Sequence, residues 1–347
     1  MQMNSEPSTI DFVRYPPVGA EDWRYAFATA KVRVLETMML GRAMLSELAH
    51  ADSFEAAAEM LGGTEYAVPP QASAEEIEEM LLSRRRQVRQ LFVQLAEDPG
   101  LVQMFQARED FANMRLAVRR VVTDRPLGTD YSPEGAVPAE EFEEIFQQEN
   151  YERFPEYLQE AVEAAVLAYY DNKDIRQIDY AIDRVEAAWR VRHSQAIGSV
   201  FCLSLSRIRI DLYNIRTLLR LKAAERQERF HFLPDGFIET ARFVQGLEHN
   251  YDALVPLFYA TPYLELVEEG TRYLREKGSF LALERGCEDY LMEFLKTTRY
   301  LAAGPQPIAA YLLMKEAEIR TVRMLLMGRK NGLSAELLLD RLGTWMD

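Results

Sequence analysis

A helical phrase recurs about every hundred residues, and this recurrence constrains the fold more than any other feature of the chain. It reads Asp110-Phe-Ala-Asn113-Met-Arg115-Leu-Ala-Val-Arg119, then Asp211-Leu-Tyr-Asn214-Ile-Arg216-Thr-Leu-Leu-Arg220. A looser third copy is Lys315-Glu316-Ala-Glu318-Ile-Arg320-Thr-Val-Arg323, and Lys31-Val-Arg33-Val-Leu resembles a truncated relative. The arginines at 115, 216 and 320 lie 101 and 104 residues apart. A chain that repeats a unit of this size is expected to build similar helical bundles about a pseudo-axis. Such objects are more often scaffolds or adaptors than enzymes with one asymmetric active site.

The phrase is amphipathic. Ile208, Leu212, Ile215 and Leu219 step by four, three and four along the second copy, the spacing of a core-facing helix stripe. Phe111, Met114, Val118 and Val121 repeat the pattern in the first copy, and Ile319, Val322 and Leu326 in the third. Each repeated arginine follows a stripe position, about 100° round the helix, so it flanks the core. Two roles fit that placement. The stem can pack on the core while the guanidinium bridges neighbouring repeats, or the arginine can be presented to a partner. An unpaired guanidinium beside an apolar stripe is costly to desolvate. Arg33, Arg115, Arg216 and Arg320 are therefore expected to pair with a carboxylate or with helix-end carbonyls across a repeat boundary, the candidates being Glu36, Asp110, Asp211 and Glu316.

Apolar residues recur at three and four rather than two, so the chain is predicted to be all-α. Helices are expected at about 22–49, 53–61, from 73 to about 96, 140–168, 175–221, 237–246, 250–258, 264–277, 281–301 and 307–329, with a last one from Ser334. Ser53 is placed as an N-cap, Gly62-Gly63 as that helix's stop, and Ser73-Ala-Glu-Glu76 as a capping box. The Pro- and Gly-containing stretches 1–21 and 122–139 read as a flexible leader (with Pro7) and a linker (with Pro126 and Gly128). The remaining chain divides into helical repeats at 22–121, 140–236 and 237–347. Ser53-Phe54-Glu-Ala…Thr64-Glu-Tyr66 aligns with Asn250-Tyr251-Asp-Ala…Thr261-Pro-Tyr263, which extends the repeat beyond the arginine phrase.

Composition excludes several functions. Forty Lys and Arg against 55 Asp and Glu give a net charge of −15, which disfavours nucleic acid and broad adsorption to anionic lipid. Local basic runs at Arg84-Arg85-Arg86 with Arg89, and from Lys315 to Lys330, are expected to be solvated faces. The two cysteines, Cys202 and Cys287, form no zinc or disulfide framework and are expected to be buried thiols. His50, His193, His231 and His249 show no paired helical spacing. No signal peptide or membrane span is visible, so a soluble cytoplasmic chain is expected. Asp171, Asp174, Asp179 and Asp183 are helix-spaced carboxylates of the type that hold magnesium in all-α terpene synthases. However, Lys173, Arg176 and Arg184 interleave with them, and an exposed charged helix is the plainer expectation. No Walker loop, GxGxxG or GxSxG motif is present, and neither a catalytic constellation nor a cofactor is expected.

Taken together, Tyr25…Ala30-Lys31-Val-Arg33-Val-Leu-Glu36, Asp211-Leu-Tyr-Asn214-Ile-Arg216, and Tyr311-Leu-Leu-Met-Lys315-Glu316-Ala-Glu318-Ile-Arg320 with Gly328-Arg-Lys330-Asn-Gly332-Leu resemble one family. It is the C subunit of the prokaryotic V-type (A-type) ATP synthase, known as the d subunit in eukaryotic V-ATPases. The resemblance spans about residues 22–343 and is most specific around Lys315-Glu316. It implies three pseudo-repeated helical bundles around a central axis, funnel-shaped. It also implies a non-catalytic central-stalk role between the rotor shaft subunits and the membrane proteolipid ring, peripheral to the membrane through that ring. Short helices at about 53–61, 139–147 and 250–258 would then meet the ring, with Phe54, Met60, Phe142, Phe146, Tyr251 and Phe258 as apolar contacts or as residues that close each bundle. A helical scaffold that shares the fold without a motor role is the alternative.

Overall fold

The computed structural model describes residues 10–123, 125, 130–226, 228 and 231–343. Residues 1–9 of the expected leader, and Pro126 and Gly128 of the expected linker, lie outside the described residues. Among the described residues the secondary structure is entirely helical, without a β-strand.

The chain divides into two compact units, each built from two stretches of sequence. Among the described residues, unit 1 draws on 10–13 and the stretch 98–257, and unit 2 on 14–97 and 258–343.

In unit 2 the helices are α1 (Ala26–Glu36), α2 (Arg42–His50), α3 (Phe54–Met60) and α4 (Ala74–Leu95) from the first stretch. The second stretch supplies α12 (Leu264–Lys277), α13 (Leu281–Lys296), α14 (Pro305–Lys330) and α15 (Ala335–Arg341). α14 organises the unit and packs against α1, α2, α3, α4, α13 and α15. Every residue from Gln306 to Ile319 is buried, as expected of a helix surrounded on all sides. That burial takes in Lys315, Glu316 and Glu318, which must find partners inside. The single helix expected over 22–49 is two helices here. Gly41, in extended backbone at φ −77° and ψ 162°, forms the N-cap of α2, and the amide of the preceding Leu40 is taken by Glu318. Ser73 forms both halves of its capping box with Glu76.

Residues 14–21 of the expected leader are tied down. Tyr290 donates to the Arg14 carbonyl at 2.7 Å, Gln306 to the Ala20 carbonyl at 2.8 Å, and Glu21 accepts from the amide of Ala302 at 2.8 Å.

In unit 1, α5 (Pro99–Val122), α6 (Ala139–Gln147), α7 (Glu156–Asn172), α8 (Arg176–Ala196), α9 (Val200–Ala223), α10 (Thr240–Glu248) and α11 (Tyr251–Leu254) follow in order. Asp98 caps α5 and Pro99 occupies its first turn, where a missing N–H costs nothing. The helix expected over 175–221 is broken at Gly198, whose φ of +64° suits glycine. α5 lies against the α7–α8 pair, and Trp189 of α8 joins the rings of Phe111 and Tyr157 at 6.0 and 4.8 Å in the core.

The second repeated motif keeps the same hydrogen bonds in its two copies. Ser53 caps α3 through the amide of Ala56, and Asn250 caps α11 through that of Ala253. Thr64 and Thr261 each donate to the carbonyl three residues back and accept from the amide two residues on, that of Tyr66 and Tyr263 respectively. Both tyrosines are fully buried.

Candidate functional site

The recurring phrase places a side-chain clamp at the same register on two helices. On α5 the carboxylate of Asp110, fully buried, accepts the amides of Ala136 at 3.2 Å and Val137 at 3.1 Å, and the hydroxyl of Tyr157 at 2.7 Å. One turn on, Asn113 accepts the amide of Ser132 at 2.8 Å and donates to its carbonyl at 2.9 Å. On α9, Asp211 accepts the amides of Phe237 and Ile238 at 3.1 and 3.0 Å. Asn214 brackets Leu233 through its amide and carbonyl, both at 2.8 Å. The offsets are identical in the two copies, at 19 residues for asparagine and 26 and 27 for aspartate. Buried loop amides need acceptors, and these two side chains supply them, fixing the chain that leads into α6 and α10. Gly135 and Gly236 lie so close to Asp110 and Asp211 that an added Cβ at either position would collide with the carboxylate Oδ1.

The electrostatics of Asp110 are a balance. Burial pushes its carboxyl above the usual aspartate range, while the Tyr157 hydroxyl and the two amides pull the other way. Tyr157 is driven upward by burial and by the neighbouring Asp110 charge, so it stays a donor.

The third copy on α14 exchanges aspartate for Lys315 and asparagine for Glu318 but keeps the task. Glu318, fully buried, accepts the Leu40 amide at 3.0 Å, the Tyr66 hydroxyl at 2.6 Å and the Lys315 ammonium at 2.6 Å. Lys315 also pairs with Glu65 and stands 5.0 Å above the Tyr66 ring. Burial raises the Glu318 carboxyl, and Lys315 and the donated hydrogen bonds oppose that rise. Glu316 accepts from Arg89 at 2.6 Å.

The arginines flank the core as expected, with partners partly different from the expected ones. Arg33 pairs with Glu36 at 2.8 Å and donates to the carbonyls of Thr298 and Leu301 at 2.7 and 3.3 Å. Arg115 pairs with Asp183 and, at 3.1 Å, with Glu186 of α8. Glu186 in turn accepts from Arg190, whose guanidinium reaches the Met104 carbonyl at 3.0 Å. Burial pushes the Glu186 carboxyl up, but Arg190 and Arg115 outweigh it and hold it below the usual range. Arg320 meets Glu288 at 2.9 Å near the surface, and Arg216 lies half-buried on α9. The buried carboxylates of Asp110 and Asp211 each accept two loop amides, so both act as loop clamps. Glu316 serves Arg89 of α4.

Phe54, Phe142, Phe146 and Phe258 are buried in the chain's own packing, with Phe142 against Tyr131 and Phe154 at 5.8 and 4.9 Å. Of the two roles open to these rings, their burial within the chain fits closure of the helical core. Tyr251 and Met60 are half-buried. Tyr251 lies beside the Lys222 ammonium at 5.3 Å, and Lys222 donates to the Gly246 carbonyl at 3.1 Å.

The interleaved cations found in the sequence meet part of the aspartate series. Asp174 pairs with Arg176, and Arg119 and Arg115 reach across from α5 to Asp179 and Asp183. Among the described residues no group of three or more His, Cys, Asp or Glu has the arrangement to hold a metal ion, and no helix is long and apolar enough to cross a membrane. Burial pushes the Cys202 thiol up to about 11, which suppresses the thiolate that nucleophilic chemistry requires.

The tyrosine donors and the two close-packed glycines escaped the sequence reading. The signal was present in Ser132-Pro-Glu-Gly135 and Leu233-Pro-Asp-Gly236, which stand at the same offset from the two aspartates.

The sequence matches known proteins over most of its length. The C subunit of a V-type sodium ATPase from Enterococcus hirae is 24% identical over 318 residues, covering 90% of this chain and 95% of that protein. The C subunit of an A-type ATP synthase from Pyrococcus abyssi is 22% identical over 342 residues, covering 92% of this chain and 90% of that protein. Its namesake from Halorubrum lacusprofundi is 22% identical over 254 residues, covering 68% and 72%. The profile of the ATP synthase (C/AC39) subunit matches residues 28–341, and the chain belongs to that family.

Proposed function

We propose that this chain is the C subunit of a rotary V-type or A-type ATPase. In this reading it is a non-catalytic central-stalk part that joins the rotor shaft subunits to the membrane proteolipid ring and serves ATP-linked proton or sodium transport. It is held at the cytoplasmic face of the membrane through the ring, and its three repeated helical bundles form a funnel around the rotor axis. The observation that carries the reading is the family match over residues 28–341, together with 95% coverage of a relative named as part of a V-type sodium ATPase. The internal chemistry agrees with a mechanical part. Paired phrases lock loops to long helices through buried hydrogen bonds, which resist deformation because breaking one strands a buried polar group.

The test is purification of the tagged full-length chain from its own cells, with shaft and proteolipid subunits identified in the eluate. ATP-driven ion transport is then measured in membranes that lack the chain. Stoichiometric recovery of both partners, and loss of transport that is restored by adding the chain back, are the expected results. Recovery without either partner would favour a helical scaffold outside the motor.

A further inference from the structure

The segment ahead of the first helix is itself seated on unit 2. Arg14, Tyr15, Pro16 and Pro17 precede α1 and belong to no helix, and they lie outside the residues that the family profile matches. The Tyr15 ring packs on that of Tyr290 of α13 at 5.3 Å, and Tyr290 packs in turn on the buried Tyr263 at 4.8 Å. The Tyr290 hydroxyl donates to the Arg14 carbonyl at 2.7 Å. One side chain thus offers the segment both a ring and a hydrogen bond. Pro16 is buried and Tyr15 half-buried, while Arg14 and Pro17 stay exposed.

The chemistry of a ligand for this surface can be read from the segment that occupies it. Proline fixes φ near −65°, and Tyr15 and Pro16, each followed by proline, are biased to extended backbone. Such a stretch is already close to a polyproline II helix and loses little conformational freedom on docking. Aromatic rings are the common receptor for segments of this kind. The Arg14 guanidinium lies over the Tyr15 ring, 5.4 Å from its centroid. Burial raises the Tyr15 hydroxyl above the ordinary tyrosine range, Arg14 opposes the rise, and the carboxylates of Glu293 on α13 and Glu265 on α12 add to it. Both helices therefore bring negative charge to the cationic head of the segment. Glu293 also pairs with Lys296 at 3.0 Å, whereas Glu265 stands exposed.

The segment is held as a tethered ligand. Just downstream, Gln306 donates to the Ala20 carbonyl, Glu21 accepts the Ala302 amide, and the Asp22 amide donates to the Ala303 carbonyl at 3.1 Å. Those bonds anchor its base, so Tyr15 meets Tyr290 at an effective concentration on the order of millimolar. A contact made at that concentration need not be tight in itself, and a free segment can replace it. We propose that the surface around Tyr290 is a docking site for an extended segment of the Arg-Tyr-Pro-Pro type, that residues 14–17 fill it in cis, and that a partner segment of the same chemistry displaces them. The proposal goes beyond the assembly reading and does not depend on it.

The experiment uses the purified full chain and a synthetic peptide copying residues 13–19, titrated by NMR through its aromatic signals. Tyr15→Ala should free the seat, and this variant should bind the peptide at least tenfold more tightly than the parent, whose own segment competes. A peptide carrying Pro16→Ala and Pro17→Ala should bind the same variant at least tenfold more weakly, because its extended form is no longer built in. Adding Tyr290→Leu to Tyr15→Ala should abolish binding. Tyr290→Phe, which keeps the ring and removes the donor, is the milder change and should weaken it. If Tyr15→Ala melts early, Arg14→Gly with Pro17→Gly, both at exposed positions, loosens the segment in its place and should give the same ranking. Equal affinity for the parent and the loosened chain, binding that survives Tyr290→Leu, or no binding to a folded, loosened chain overturns the proposal. Tyr15-dependent dimerisation in sedimentation without peptide binding would assign the seat to a second copy and equally overturn it.

Discussion

Asp211 repeats Asp110 in its bonds as well as its sequence, each carboxylate accepting amides 26 and 27 residues downstream. Gly135 and Gly236 are the counterparts that make the approach possible. Gly135→Ala and Gly236→Ala should each destabilise by about 2–4 kcal/mol, the sum of overpacking and weakened hydrogen bonds to a buried carboxylate. Gly63→Ala, where an added Cβ meets nothing within 4 Å, is the control and should move the urea midpoint little. Equal midpoints for all three variants would remove the clamp argument.

The Lys315–Glu318–Tyr66 cluster should behave as a unit. Lys315→Met leaves Glu318 charged and buried and should cost about 3–5 kcal/mol. Lys315→Met with Glu318→Leu should cost less than the single change, because no charge is then stranded. Tyr66→Phe removes one donor to Glu318 and should cost about 1–3 kcal/mol. A double-mutant cycle from chemical denaturation measures the coupling, and strict additivity would contradict it.

The repeated arginines should divide by burial. Arg115, with a quarter of its side chain exposed and a network running through Glu186 to Arg190, should cost about 2–3 kcal/mol on replacement by alanine, between the exposed and buried limits. Arg320, half-exposed opposite a similarly exposed Glu288, should cost at most about 1 kcal/mol. Thermal melts of the two variants side by side test this order, and a larger loss at Arg320 would contradict it.

His231 gives unit 1 an acid sensitivity. Burial beside Tyr180, whose ring lies 4.0 Å away, depresses the imidazole below its ordinary 6.5, with Glu228 opposing and Arg226, Arg184 and Arg176 assisting. The folded pKa is lower than the unfolded one, so the stability is fully present above about pH 6.5 and is lost as pH falls towards the folded value. The loss from this residue is no steeper than about 1.4 kcal/mol per pH unit. His231→Gln should flatten the stability profile between pH 7 and 5, and an unchanged profile would rule out His231 as its source.

Both thiols should be silent in the folded protein. Cys202 and Cys287 are fully buried, and Cys202 is pushed to about 11. A thiol reagent at pH 8 should label neither in the native state and both in denaturant. Rapid native labelling would mean that the core around α9 or α13 opens readily.

The helices were legible because apolar spacing reports burial directly, as on α9, where Ile208, Leu212, Ile215 and Leu219 are all buried. The breaks were harder to read. Gly41 and Gly198 sit within apolar stretches that continue on both sides, and only the tertiary partners of Leu40 and the backbone of Gly198 show why each helix stops. The arginines were placed correctly beside the core, but Asp183, Glu186 and Glu288 lie 68, 71 and 32 residues from the arginines they meet. Their pairing depends on how helices pack, which periodicity does not encode. The phenylalanines of the short helices left two roles open in the sequence, because an amphipathic turn looks the same whether it faces a partner or its own core.

Unit 2 is assembled from residues on either side of the main stretch of unit 1, 98–257, and this division orders events during synthesis. α1 to α4 leave the ribosome about 160 residues before the second stretch begins, an interval of roughly ten to thirty seconds at ordinary elongation rates. Val32, Leu45, Leu48 and Ile77, all on helices that pack against α14, wait uncovered throughout. The nascent chain thus carries half a core whose other half is not yet made, a state prone to aggregate and to need protection. Truncation before Pro305 would remove the centre of unit 2 while leaving every residue of unit 1 in place, so damage late in the gene is felt by helices encoded at its beginning.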